Sequence, residues 1–149
     1  MKSKKEIRLY NVLFPIWMLL IIPTAWIAVL PANFIVDSLV LLITAKKIGI
    51  LEKGIYKKHI LRVWIFGFIA DLIGAGILLG SLYIFEDFFR GDELTVTLPA
   101  MLVSAVMIFL FNYRFSFSEL DKGARLRMAL SFAIFTAPYT FLIPLNWIY

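Results

Sequence analysis

Residues 62–85 read RVWIFGFIADLIGAGILLGSLYIF, an apolar run whose interior carries one charged residue, Asp71. About 20 helical residues at 1.5 Å each cross the roughly 30 Å hydrocarbon core of a bilayer, so this stretch is long enough to span it. Working outward, four more apolar runs appear, at about 9–30, 33–45, 98–117 and 124–149. All but the run at 33–45 reach spanning length. The whole chain agrees: 62% of its 149 residues are hydrophobic and 17% charged, with a mean hydropathy of +0.89. A soluble domain has roughly 45–50% and about 25%. The fold expected is therefore all-α, a polytopic membrane helix bundle of about five transmembrane segments forming one domain over residues 1–149.

The first two segments need a turn between them. Residues 9–45 are nearly unbroken in their apolarity, and as one helix they would measure about 55 Å, too long for a bilayer. Pro31-Ala32-Asn33 is the natural place, since proline disfavours helix in the residue before it and asparagine caps a helix that follows. This leaves 33–45 as a short or half-spanning segment. The start, Met1-Lys2-Ser3-Lys4-Lys5 before an apolar run, imitates a signal peptide. That run continues far beyond the 7–15 residues of a signal's apolar region, so it reads as retained structure.

The loop charges supply a separate test. Lys2, Lys4, Lys5 and Arg8 precede the first segment. Lys46, Lys47, Lys53, Lys57, Lys58 and Arg62 separate the second from the third, and Arg114, Lys122, Arg125 and Arg127 the fourth from the fifth. Five segments place all of these on one side and leave Arg90 alone on the other, among Glu86, Asp87, Asp92 and Glu93. The positive-inside rule makes the basic side cytoplasmic. The expected placement is integral to a membrane, a bacterial cell membrane, with the N-terminus cytoplasmic and the C-terminus outside. Between the second and third segments, residues 46–62 carry Ile48, Leu51 and Ile55 on one helical face and Lys46, Lys53 and Lys57 roughly opposite. This is either an interfacial helix on anionic lipid headgroups or a basic loop that sets topology.

Several function classes drop out. The net charge of +5 lies between apolar runs and forms no stripe on a soluble face, so nucleic acid is not expected as a partner. There is no cysteine, which removes disulfides, thiolate catalysis and cysteine-based metal sites. No Gly-x-Ser-x-Gly, His-Glu-x-x-His, phosphate loop or dinucleotide fingerprint occurs, so neither an enzyme nor a cofactor is expected. An aspartyl protease of the membrane interior needs two aspartates, but these two lie toward one face and carry no flanking motif. His59 sits among Lys57, Lys58 and Arg62 and reads as a surface residue. Trp17, Trp26, Trp64, Trp147, Tyr10 and Tyr149 fall near segment ends, where aromatic belts anchor helices. Pro15, Pro23, Pro138 and Pro144 read as kinks, with a broken helix conceivable at Pro23 or Pro138.

Asp37 and Asp71 are the charged residues deep within the spans. Asp37 precedes Lys46 by nine residues and Asp71 follows Arg62 by nine, so each lies about 13 Å from the basic boundary. An aspartate at the middle of an inserted helix costs roughly 2.5–3.5 kcal/mol, and such residues mark function by default. Asn33, Asp37 and Thr44 share one side of the second segment; Gly67, Asp71, Gly74 and Ser81 share one side of the third. The expected cation-binding set is Asp37, Asp71, Asn33, Ser81 and Thr44, with further lining from Ser104, Asn112, Ser131, Thr136, Thr140 and Asn146. The expected packing positions are Gly67, Gly74, Gly76 and Gly80, where small residues let helices approach closely. No lysine, arginine or histidine lies deep enough to neutralise the aspartates. They would then bind a proton, a metal cation or a cationic amphiphile in a small transporter or channel-like protein, working as a homo-oligomer. The alternative is a non-transporting interaction protein, such as an accessory subunit, assembly factor or immunity protein, in which protonated aspartates hold helices together.

Overall fold

A computed structural model describes residues 24, 26–52, 54–84 and 94–142. Among these the chain is helical, with no strand. Four α-helices succeed one another: α1, Trp26–Lys47; α2, Ile55–Ile84; α3, Leu94–Phe111, which widens into a π-helical turn at Asn112–Ser116; and α4, Lys122–Phe135. A 3₁₀ turn follows at Tyr139–Leu142. Three stretches are long and apolar enough to cross a membrane: Trp26–Lys47, Ile55–Ser81 and Thr97–Ser116.

Burial is arranged as in a helical membrane protein. Ile35, Leu39 and Ile43 of α1, Leu61, Ile65 and Ile69 of α2, Leu102 and Val106 of α3, and Leu126, Leu130 and Ile134 of α4 are all exposed. Asp37, Thr44, His59, Asp71, Thr97, Ser104, Asn112 and Ser116 are all buried. In water this exchange of polar for apolar would be unfavourable; in lipid it leaves the hydrocarbon against the apolar side chains and the polar groups inside.

Each helix packs on the next in the chain, and α4 closes the ring by returning to α1. The turns at the basic end are tight and well capped. Gly49, at φ 78°, ends α1: its N–H donates to the Lys46 carbonyl, and the Ile50 N–H reaches back to Ala45 at 3.0 Å. This is a Schellman closure, which needs a left-handed residue and so favours glycine. Asp121 starts α4, its carboxylate accepting from the backbone N–H of Gly123 and Ala124, each at 3.1 Å. On the outside of the same end, the Lys58 ammonium and the Arg62 guanidinium pair with Glu119 and hold its carboxyl below the ordinary glutamate range.

Two apolar clusters fill the ring. Toward the basic end lie Leu41, Ala45, Ile60, Val63, Ala70, Ile108, Phe117, Met128 and Phe132. Toward the far end lie Ala75, Leu78, Ala100, Met101 and Phe141.

Three sequence-based expectations need correction. First, no turn forms at Pro31-Ala32-Asn33: α1 runs through Pro31, and Asn33 lies inside the helix. Pro31 is the sixth residue of α1, so it forfeits one backbone bond, to the Ile27 carbonyl. The entry turn is held by side chains instead. Trp26 meets Phe68 edge-on at 5.5 Å, Trp64 meets Phe34 at 5.8 Å, and the Trp64 indole N–H donates to the Leu30 carbonyl at 3.1 Å. Starting at Trp26 gives the helix 22 residues, about 33 Å and a full span, where a start at Asn33 would fall short. These two tryptophans thus join α1 to α2. Trp17, Trp147, Tyr10, Tyr149, Pro15, Pro23 and Pro144 lie outside the described residues, as does most of the expected first segment.

Second, residues 46–62 are not a separate interfacial helix. They comprise the last turn of α1, a short loop and the first two turns of α2. Of the expected apolar face, Ile48 and Ile55 pack on the basic-end cluster, while Leu51 is exposed. Third, the expected span 124–149 breaks. At 14 residues α4 measures about 21 Å and stops before Pro138. At the break, Thr136 returns both its N–H and its hydroxyl to the Phe132 carbonyl, and the Tyr139 hydroxyl donates to the Ile134 carbonyl that the helix no longer satisfies. Such closure is what irregular backbone at membrane depth requires. A count of five spans is therefore not established; three are described.

Candidate functional site

Asp37 and Asp71 both lie at the junction between the two apolar clusters. Both are buried, Asp37 at 5% exposure and Asp71 at 8%. Gly67, one turn before Asp71 on α2, leaves a notch for the α1 carboxyl: a Cβ built there would lie 3.7 Å from Asp37 Oδ2. The two carboxyls lie within electrostatic range of one another. From α3, the Ser104 hydroxyl donates to Asp71 Oδ1 at 2.9 Å. Three helices thus contribute to one site.

The far side of this site is covered by the turn that follows the break in α4. Gly74 sits one turn beyond Asp71, and a Cβ there would lie 2.9 Å from Ser104 Cβ, 3.2 Å from Phe141 Cε2 and 3.3 Å from the Ala100 carbonyl oxygen. Glycine is needed because α3 and the 139–142 turn approach this closely. Phe141, 2% exposed, lies against α2 and α3 just above the Asp71–Ser104 pair. Among the described residues the ion pairs are those of Lys58 and Arg62 with Glu119, so neither aspartate has a basic partner at bonding distance.

The remaining expected site residues spread along the helices. Asn33 is half-buried one turn beyond Asp37, within reach of the same region. Thr44 is buried two turns toward the basic end, about 10 Å along α1. Ser81 is ten residues past Asp71, about 15 Å along α2, and is remote from it. Among the expected packing glycines, Gly67 and Gly74 face the interior. Gly76 and Gly80 do not: among the described residues nothing lies within 4 Å of a Cβ built at either. Ser131 is half-buried on α4, Thr136 bonds its own helix, and the Thr140 side chain and Asn146 lie outside what is described.

A second polar group escaped the sequence reading. His59 is not a surface residue; it is 2% exposed, its Nδ1 lies 2.7 Å from the Ser116 carbonyl oxygen, and its ring tilts against Phe117 at 5.5 Å. Beside it, Asn112 and Ser116 are fully buried. Neither amide atom of Asn112 nor the Ser116 hydroxyl finds a hydrogen-bond partner among the described residues. One signal was available. Starting α2 at Ile55 aligns His59, Val63, Gly67, Ala70, Gly74 and Leu78 at spacings of three and four, which is the inward face. The π-helical turn that carries Asn112 and Ser116 had no such signal.

No protein-family model, curated protein or solved structure matches this chain.

Proposed function

We propose that the chain is a small membrane transporter or channel-like protein that takes a proton, a metal cation or a cationic amphiphile at Asp37 and Asp71. The observation that carries this reading is the convergence of two buried carboxyls, from different helices, on the Gly67 notch without a basic partner at bonding distance. Burying ionisable groups this way is costly, and a purely structural hydrogen bond between helices needs only a serine or an asparagine. The basic end faces the cytoplasm in this reading, since Lys46, Lys47, Lys57, Lys58, Arg62, Arg114, Lys122, Arg125 and Arg127 cluster there, beside anionic headgroups. A homo-oligomer is supported by Gly76 and Gly80, which leave a small-residue patch on α2 that none of the described residues fills.

The test is a titration of melting temperature against pH in detergent, with and without Na⁺, K⁺, Mg²⁺ or a quaternary ammonium, for wild type, Asp37→Asn and Asp71→Asn. Cation-dependent or pH-dependent stabilisation in wild type, abolished in both variants while their folding is retained, is the expected result. A wild-type curve indifferent to pH and cations and matched by both variants would overturn the site. The open Gly76 and Gly80 face also favours a second reading, a non-transporting subunit docked on another membrane protein; a stoichiometric heterologous partner in gentle purification would bring it forward.

A further inference from the structure

The aspartates are one of two buried polar layers. The other lies at the basic-end cluster, where buried His59 bonds the Ser116 carbonyl and buried Asn112 shares the π-helical turn of Ser116. A buried polar group without a partner is costly, and among the described residues the donor and the acceptor of one amide and a neighbouring hydroxyl are all in that position. Whatever completes them must both donate and accept, which is the chemistry of water. Their placement follows from the π-helical turn. The Phe117 N–H bonds five residues back to Asn112 at 2.9 Å, and this widened turn buries Asn112 and Ser116 together beside α2; such turns concentrate at functional positions.

His59 adds directionality. A carbonyl oxygen only accepts, so the bond to Ser116 places the hydrogen on Nδ1 and leaves the lone pair of the neutral ring on Nε2. A histidine held this way takes a proton at one nitrogen and can release one from the other. The charged groups in its electrostatic range are Lys58 and Arg62 of its own helix and Glu119 of the turn before α4. No carboxylate is among the buried residues of this layer, and no cluster of three or more metal-binding side chains occurs among the described residues. A metal ion stripped of water would find too little negative charge here, whereas a proton needs only water and a basic nitrogen.

We propose that His59, Asn112 and Ser116 form a hydrated relay for protons between the aspartate pair and the basic end, so that the proton is the species moved. This rests on the transport reading above. Asn112 lies eight residues beyond Ser104, about 12 Å along the third span, and Ile108, Leu41 and Phe132 occupy the interval. Transfer between the layers therefore requires that apolar interval to admit water transiently, which limits the rate.

The experiment is proton uptake into phosphatidylcholine–phosphatidylglycerol vesicles holding the full-length chain and a trapped pH dye, driven by a valinomycin-set potassium potential. Wild type should acidify the lumen. His59→Gln, which retains a donor for the Ser116 carbonyl but cannot relay, should slow uptake tenfold or more. Asn112→Leu should do the same while holding or raising the melting temperature, since it removes an unsatisfied amide. Asp37→Asn and Asp71→Asn should abolish uptake. If uptake is lost in the aspartate variants but unchanged in His59→Gln and Asn112→Leu, the relay is wrong and the aspartate site stands. If wild-type vesicles pass a metal cation and no protons, the relay is again overturned while transport survives. If neither protons nor cations move and no variant matters, both proposals fall.

Discussion

Substituting Gly74 by alanine separates interior packing from lipid contact. Non-bonded carbons rest about 3.5–4.0 Å apart, and the added methyl would meet Ser104 Cβ at 2.9 Å, so α2 and α3 must separate by half an ångström or more. The Phe141 ring at 3.2 Å could rotate away, but the Ala100 carbonyl oxygen at 3.3 Å is backbone and cannot. Overpacking of this kind costs about 1–3 kcal/mol, and the better helix propensity of alanine returns up to about 1 kcal/mol. The net expectation is a loss of about 1–2 kcal/mol, or roughly 2–8 °C in Tm at this chain length. Gly76→Ala is the internal control: with none of the described residues within 4 Å of its Cβ, it keeps the propensity gain and should be neutral or stabilising by up to about 1 kcal/mol. The assay is thermal unfolding of both variants in one detergent, with size-exclusion profiles taken alongside. A Gly74→Ala protein as stable as wild type, or a Gly76→Ala protein equally destabilised, would refute the helix arrangement on which the aspartate site depends.

Three further outcomes are expected. Ser104→Ala removes the donor to Asp71 and should lower stability by about 1–3 kcal/mol in the same unfolding assay, while Ser104→Thr, which keeps the hydroxyl, should lose less. Gly49→Ala puts a side chain at φ 78° and should cost about 1 kcal/mol despite open space around it, and Gly49→Asn, which tolerates that conformation, should recover part of the loss. Because the chain has no cysteine, single cysteines near Gly54 and Gly91 can be labelled from either side of sealed vesicles; they should react from opposite faces, and reaction from the same face would contradict the topology.

The membrane class, the positions of α2 and α3 and the matching depth of Asp37 and Asp71 were legible because each rests on one strong quantity, unbroken apolarity or a rare charge at a fixed depth; that the two carboxyls lie within range of one another depends on how α1 packs on α2, which no local pattern encodes. Gly74 was legible for a similar reason, lying one turn from Asp71 on the same face. What failed were boundaries decided by tertiary contact. Pro31 reads locally as a breaker, yet Trp26 and Trp64 brace the turn around it. His59 reads locally as surface because its neighbours are basic, yet α2 starts early enough to rotate it inward while Lys58 and Arg62 turn out to Glu119. The apolarity of 124–149 hides the break after Phe135, since a chain that satisfies its own carbonyls through Thr136 and Tyr139 needs no compositional change to stop being a helix.

That break makes the two ends of the bundle mechanically unlike. At the basic end four helices enclose the interior, and parting them means separating Met128, Phe132, Leu41, Ile60 and Phe117 together. At the far end, among the described residues, a single 3₁₀ turn rests on Gly74 and Ala100 through Phe141. Opening free energies within one molecule range from near zero to the full stability of the fold, and the smaller figure belongs where fewer buried contacts are lost. Among the described residues, parting the far end beside the aspartates is then a local event of one turn, and parting the basic end a collective one.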